Sequence, residues 1–277
     1  MKRDAARLLA VVILTLATAA ALLCGCGRAA PSPSSTDASP KPGGTANIPL
    51  GAEPFSLLPY NIQDSESLQI AHEIFQGLVK YELQPDGTVH AVPDIAESWT
   101  ANKDVTVWTF KLRSGVTFQA PVSREVTAAD FVASFDFATD PDNGSYTSYL
   151  LAPIEGVDDT GYARHGVTGM KALGPHTLRF TLRYPFAEFP QTLGTPVSAV
   201  WPVDYLTTVG QKAFADKPVG TGSFLLDTWK HGQYVDLVRN DAWWGKTDGG
   251  PYLERVHMPV LLNTDTMWLA FQKGDLD

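Results

Sequence analysis

A chain of 277 residues, 44% of them hydrophobic and 18% charged, is long enough to bury a real core and suggests two domains. Its formal charge is −9, and because residues 1–25 carry three cations and one anion, the remainder carries −11. So acidic a body argues against nucleic acid or an anionic lipid face as partner.

The chain opens with Lys2, Arg3 and Arg7, an apolar run from Leu8 to Leu23, then Cys24-Gly25-Cys26. A basic start, an apolar stretch short for a bilayer crossing and a small residue before a cut describe a secretory signal over residues 1–25. Cys26 directly after Gly25 resembles a bacterial lipobox, which implies cleavage before Cys26 and its lipidation. Both cysteines lie in this segment, so the body needs no disulfide. Residues 26–44, rich in Pro, Ser, Ala and Gly, cannot bury enough surface to offset their ordering entropy and predict a disordered tether.

From Thr45 to Tyr60, apolar positions broken by Pro49, Pro54 and Pro59 predict an edge strand followed by an extended loop. Ser65 or Ser67 then caps a helix with Leu68, Ala71, His72 and Phe75 on one stripe, ending near Gly77. Val105 to Leu112 alternates, with Trp108, Phe110 and Leu112 on one face of a strand. Thr127 and Asp130 resemble a capping box for a helix carrying Phe131, Val132 and Phe135. Leu178, Phe180 and Leu182 mark another strand, and Glu188 to Gly194 a short helix. The loop Gly220-Thr221-Gly222-Ser223 leads into Phe224 to Trp229, a turn at Lys230-His231-Gly232 and an alternating Tyr234 to Arg239, the pattern of a hairpin. Glycines before that strand let backbone amides approach a ligand or another chain closely. Met267, Ala270 and Phe271 have helical spacing, with Gly274 as a C-cap. The mixture predicts an α/β or mixed α+β class.

The residues of a catalytic centre are not grouped. Six histidines are scattered without metal-ligand spacing, and neither G-x-S-x-G nor a P-loop occurs. The sequence therefore predicts a protein that is not an enzyme and carries no cofactor or metal.

Pro218 to Gly245 reads PVGTGSFLLDTWKHGQYVDLVRNDAWWG, and this wording resembles the peptide/nickel class, family 5, of solute-binding proteins that feed ABC importers. Pro93-Asp94-Ile95-Ala96-Glu97-Ser98-Trp99 resembles that family's P-x-L-A-E-S-W, and Ile74-Phe75-Gln76-Gly77-Leu78 its F-E-G-L block. The resemblance implies a periplasmic-binding-protein-like II fold of two lobes, with the C-terminal lobe missing from this chain. Residues 45–75 with 203–277 then form a discontinuous first lobe, and residues 76–202 an inserted subdomain. It further implies a lipid-anchored monomer on the cell surface or in the periplasm, with a peptide ligand and membrane permease subunits as partners. Nickel, opine or oligosaccharide remain alternative ligands, and a half-receptor acting as a protein-interaction module is the rival reading.

Three places match positions that face the ligand in oligopeptide-binding relatives. The first is Gln63, Asp64 and Ser65, a polar loop that equally serves to cap the next helix; the second is Tyr146, with Tyr149 assigned to the core; the third is Thr221, Gly222 and Ser223, whose open backbone suits strand-like pairing with a peptide. The intact mass of the protein extracted from its own membrane tests the ends of this reading. Cys26 with lipid is expected as the mature N-terminus, and a mass well above 30.0 kDa is expected if a second lobe follows.

Overall fold

In the computed structural model, which describes residues 40–277, segments far apart in sequence share one sheet. Strand β1 (Thr45–Asn47) runs parallel to β10 (Arg255–Pro259), and β10 pairs antiparallel with β9 (Tyr234–Arg239), which pairs with β8 (Phe224–Lys230). The edge-strand and hairpin expectations hold. Val235 and Leu237 are buried while Tyr234, Asp236 and Val238 are half-buried, the period-two pattern that Tyr234 to Arg239 shows in sequence. The signal segment, Cys26 and nearly all of the tether lie outside the described residues.

A second antiparallel sheet has the order β4 (Ala96–Ala101), β5 (Val107–Leu112), β7 (Thr177–Thr181), β6 (Met170–Gly174). Trp108, Phe110 and Leu112 are buried on one face, as expected, and Phe110 meets Phe180 edge-to-face at 5.5 Å. Helix α2 (Ala128–Thr139) covers this face, placing Phe135 5.8 Å from Phe180. Its capping box is present: the Thr127 N–H and hydroxyl each donate to Asp130 Oδ2 at 2.8 Å. Asp at this position, rather than the longer Glu, still closes the box.

A two-stranded hairpin, β2 (Val79–Leu83) with β3 (Val89–Pro93), was not expected. Its turn carries Asp86-Gly87, with Gly87 at φ +84°, so the signal was in the sequence. Short helices α3 (Phe189–Thr192), α4 (Val203–Val209) and α5 (Gln211–Asp216) follow, and α6 (Thr264–Lys273) ends at Gly274 with φ +79°, the C-cap expected there.

Helix α1 (Ser65–Ile74) differs from its expectation in cap and stripe. Asp64 is the N-cap, its Oδ1 accepting the Ser67 N–H at 2.8 Å. With that start the buried positions are Ser67, Ile70, Ala71 and Ile74, while Leu68 and His72 are exposed. The Ser67 hydroxyl accepts the Ser56 N–H at 3.1 Å, so a polar residue faces inward because the preceding loop needs an acceptor.

The end of α1 also explains Gly220 and Gly222. The Gly222 N–H donates to the Ile74 carbonyl at 2.8 Å, and a Cβ on Gly222 would lie 2.2 Å from the Glu73 carbonyl oxygen. Gly222→Ala is expected to destabilise the fold by about 1–3 kcal/mol or more through forced overpacking, read as a lower denaturation midpoint.

Candidate ligand-binding cleft

Three short 3-10 turns converge on one cleft: Pro59–Asn61, Ser148–Leu151 and Pro196–Ser198. The first is tied to the segment leading into the second through the Tyr60 carbonyl, which accepts the Ser145 hydroxyl at 2.6 Å and the Thr147 hydroxyl at 3.4 Å. The cleft has a volume of about 330 Å³, and Gln63, Asp64 and Ser65 lie on its wall. Gln63 and Ser65 are exposed. The Asp64 carboxylate is already used, by the helix cap and by the Phe55 N–H at 3.4 Å. Tyr146 is 60% exposed and does not itself line the cleft, whereas its neighbour Thr147 does.

Two expectations are corrected here. Tyr149 is 57% exposed rather than core, because Leu151 takes the inward position of that turn. The loop Thr221-Gly222-Ser223 does not present an open backbone. The Gly222 carbonyl accepts Gln119 Nε2 at 3.1 Å and Asn240 Nδ2 at 3.0 Å, and the Ser223 carbonyl accepts the Asn240 N–H at 2.8 Å. Thr221 is fully buried and its hydroxyl has no partner. The glycines do permit a close backbone approach, but to the protein's own helix.

A second cavity of about 110 Å³ shares the Thr195–Pro196 wall with the cleft and reaches Gln76, Lys80 and Asp94. Gln76 links this cavity to the residues after the hairpin. Its Nε2 donates to Asp94 Oδ1 at 2.7 Å, and its Oε1 accepts both the Trp243 and Trp244 indole N–H groups, at 3.2 and 2.9 Å. Sequence reasoning missed Gln76 and Asp94 as polar centres, because nothing in their spacing relates them to the two tryptophans. Burial pushes the Asp94 carboxyl up to about 6, against the attraction of Lys80 and the Gln76 hydrogen bond. Among the described residues no group of three or more His, Cys, Asp or Glu is placed to hold a metal ion.

Residues 90–277 match the family described as bacterial extracellular solute-binding proteins, family 5, middle part. The chain belongs to this family. Family 5 relatives include the oligopeptide-binding protein OppA of Bacillus subtilis, 30% identical over 84% of this chain and 42% of its own length. The periplasmic oligopeptide-binding protein OppA of Escherichia coli is 34% identical over 70% of this chain and 35% of its own length. A nickel-binding periplasmic protein of the same organism is 31% identical over 74% of this chain and 35% of its own length. Among solved structures, DppA from Helicobacter pylori in complex with the peptide STSA aligns with a TM-score of 0.71 at 28% identity, covering 85% of this chain and 46% of that one. The chain thus spans less than half the length of these family 5 proteins. The expected recognition and fold class hold: mixed α and β elements in a periplasmic-binding-protein-like II arrangement.

Asp94 has a pH signature. Its folded pKa lies above the roughly 3.9 of an unfolded Asp, so the folded form binds its proton more tightly. The cost of the buried charge is absent below about pH 4 and is fully present above about pH 6. Asp94→Asn keeps an acceptor for Gln76 and is expected to stabilise the protein by about 2–3 kcal/mol at pH 8 and by almost nothing at pH 4. Chemical denaturation at the two pH values measures the difference.

Proposed function

We propose that this chain is part of an extracytoplasmic, lipid-anchored solute-binding protein that delivers peptides to an ABC importer. The observation that carries the reading is the cleft at Pro59–Ser65, lined by exposed Gln63 and Ser65 with exposed Tyr146 beside lining residue Thr147, in a chain whose relatives include oligopeptide-binding proteins. Exposed polar groups beside a cleft suit an extended peptide, since main-chain hydrogen bonds supply affinity for many sequences. Gln63, Ser65 and Tyr146 contact the ligand in this reading. Asp64 and Thr221-Gly222-Ser223 support the site from behind, by capping α1 and packing against its end.

The protein works as a monomeric binder and not as an enzyme. Residues 45–75 and 203–277 form one lobe, with 76–202 as its inserted subdomain. A second lobe closes over the peptide, and binding shifts an open-to-closed equilibrium towards the form that docks on a membrane permease. Cys26 carries the lipid, and no helix among the described residues is long and apolar enough to cross a membrane.

A protein-interaction module is favoured by one feature, the exposed apolar row Leu262, Trp268, Leu269 and Phe271 on and before α6. Calorimetry on the full-length protein separates the readings. Tri- to pentapeptides are expected to bind, with Gln63→Ala weakening them at unchanged thermal stability. Binding of nickel, an opine or an oligosaccharide with no response to peptides overturns the peptide assignment, and no response to any of these favours the interaction module.

A further inference from the structure

The chemistry of the cleft interior differs from that of its rim. Pro59, Ile62, Pro196 and Val197 are buried and form its floor, with half-buried Leu150 and exposed Leu68 at its edge. The hydroxyls among its lining residues have partners within the protein. Thr147 Oγ1 donates to the Tyr60 carbonyl and Thr195 Oγ1 to the Thr192 carbonyl, each at 3.4 Å. Among the described residues Asp64 is the one ionisable lining residue, and its two carboxylate oxygens accept the Ser67 and Phe55 N–H groups. Among those residues the interior therefore offers an anionic guest no counter-ion, and its apolar floor offers water few partners.

Resting on the peptide reading above, the geometry points to a side-chain subsite that selects a bulky apolar residue, aliphatic or aromatic, at one position of the bound peptide. A volume of about 330 Å³ is enough for one such side chain with water to displace. Poorly held water is released with a gain when an apolar group replaces it. A glutamate side chain would lose its hydration against Ile62, Leu150 and Val197, with no cation among the described lining residues to replace it. The same family 5 scaffold thereby becomes selective at one position, while main-chain contacts near Gln63 and Ser65 stay indifferent to sequence.

The test uses the full-length protein and tetrapeptides based on Ala-Ala-Ala-Ala, with Leu, Phe or Glu placed at each position in turn. At one position only, Leu and Phe are expected to bind roughly tenfold or more tighter than Ala, and Glu more weakly than Ala. Leu68→Lys changes the exposed edge and leaves the buried floor intact. It is expected to remove the Leu and Phe preference over tetra-alanine, with the thermal midpoint unchanged. Peptides that bind equally whatever the residue, or a gain that survives Leu68→Lys, overturn the subsite and leave the peptide reading standing. No binding by any of the peptides overturns both.

Discussion

The contact between the Gly220–Gly222 loop and the C-terminal end of α1 holds the described fold together. At that point the hairpin sheet, the helix and the Gln119 loop meet through backbone groups and the Gln119 side chain. Gln119 alone bonds to Gly220, Gly222 and Phe224: its Oε1 accepts the Gly220 N–H, and its Nε2 reaches the Gly222 and Phe224 carbonyls. Such an approach is possible only where no Cβ intervenes, since Cβ atoms on Gly220 and Gly222 would meet helix carbonyl oxygens at 2.1 and 2.2 Å. Apart from the Thr221 hydroxyl, these polar groups of the junction bond one another and fix the angle at which α1 leaves the sheet.

The cleft inherits its geometry from this junction. Helix α1 is set by the loop at its end and by Asp64 at its start, and Gln63 to Ser65 form the turn between the cap and the cleft wall. The opposite wall is fixed by hydrogen bonds to the Tyr60 carbonyl and by the ring of Tyr60, which packs 5.1 Å from Phe137. Two of the three turns that line the cleft are thus tied to one core residue, Tyr60.

Polar residues that look interchangeable in sequence play separate parts. Asp64 is a helix cap, Asp130 closes a capping box, and Asp94 is a buried carboxylate held beside Gln76 and two indoles. The last is pushed towards neutrality, because burial outweighs the attraction of Lys80 and the hydrogen bond from Gln76. Glu53 is a further case, accepting the Trp229 indole, His231 Nδ1 and the Gly232 N–H to pin the hairpin turn to the first loop.

The sequence by itself determined the strands Val107–Leu112, Thr177–Thr181 and Tyr234–Arg239, the capping box at Thr127, the Gly274 cap and the family 5 membership. These depend on local periodicity, on side-chain-to-backbone bonds a few residues long, or on motif wording. It also pointed to Gln63, Asp64 and Ser65, which line one cleft, and to Tyr146, which does not. Tertiary structure alone decided which face of α1 is buried, that Tyr149 points outward, and that Gly222 serves the protein's own helix. It also decided that Gln76 joins Asp94 to Trp243 and Trp244. A partner 18 or 167 residues away leaves no periodic trace in a single chain, and a glycine's freedom does not say which neighbour will use it.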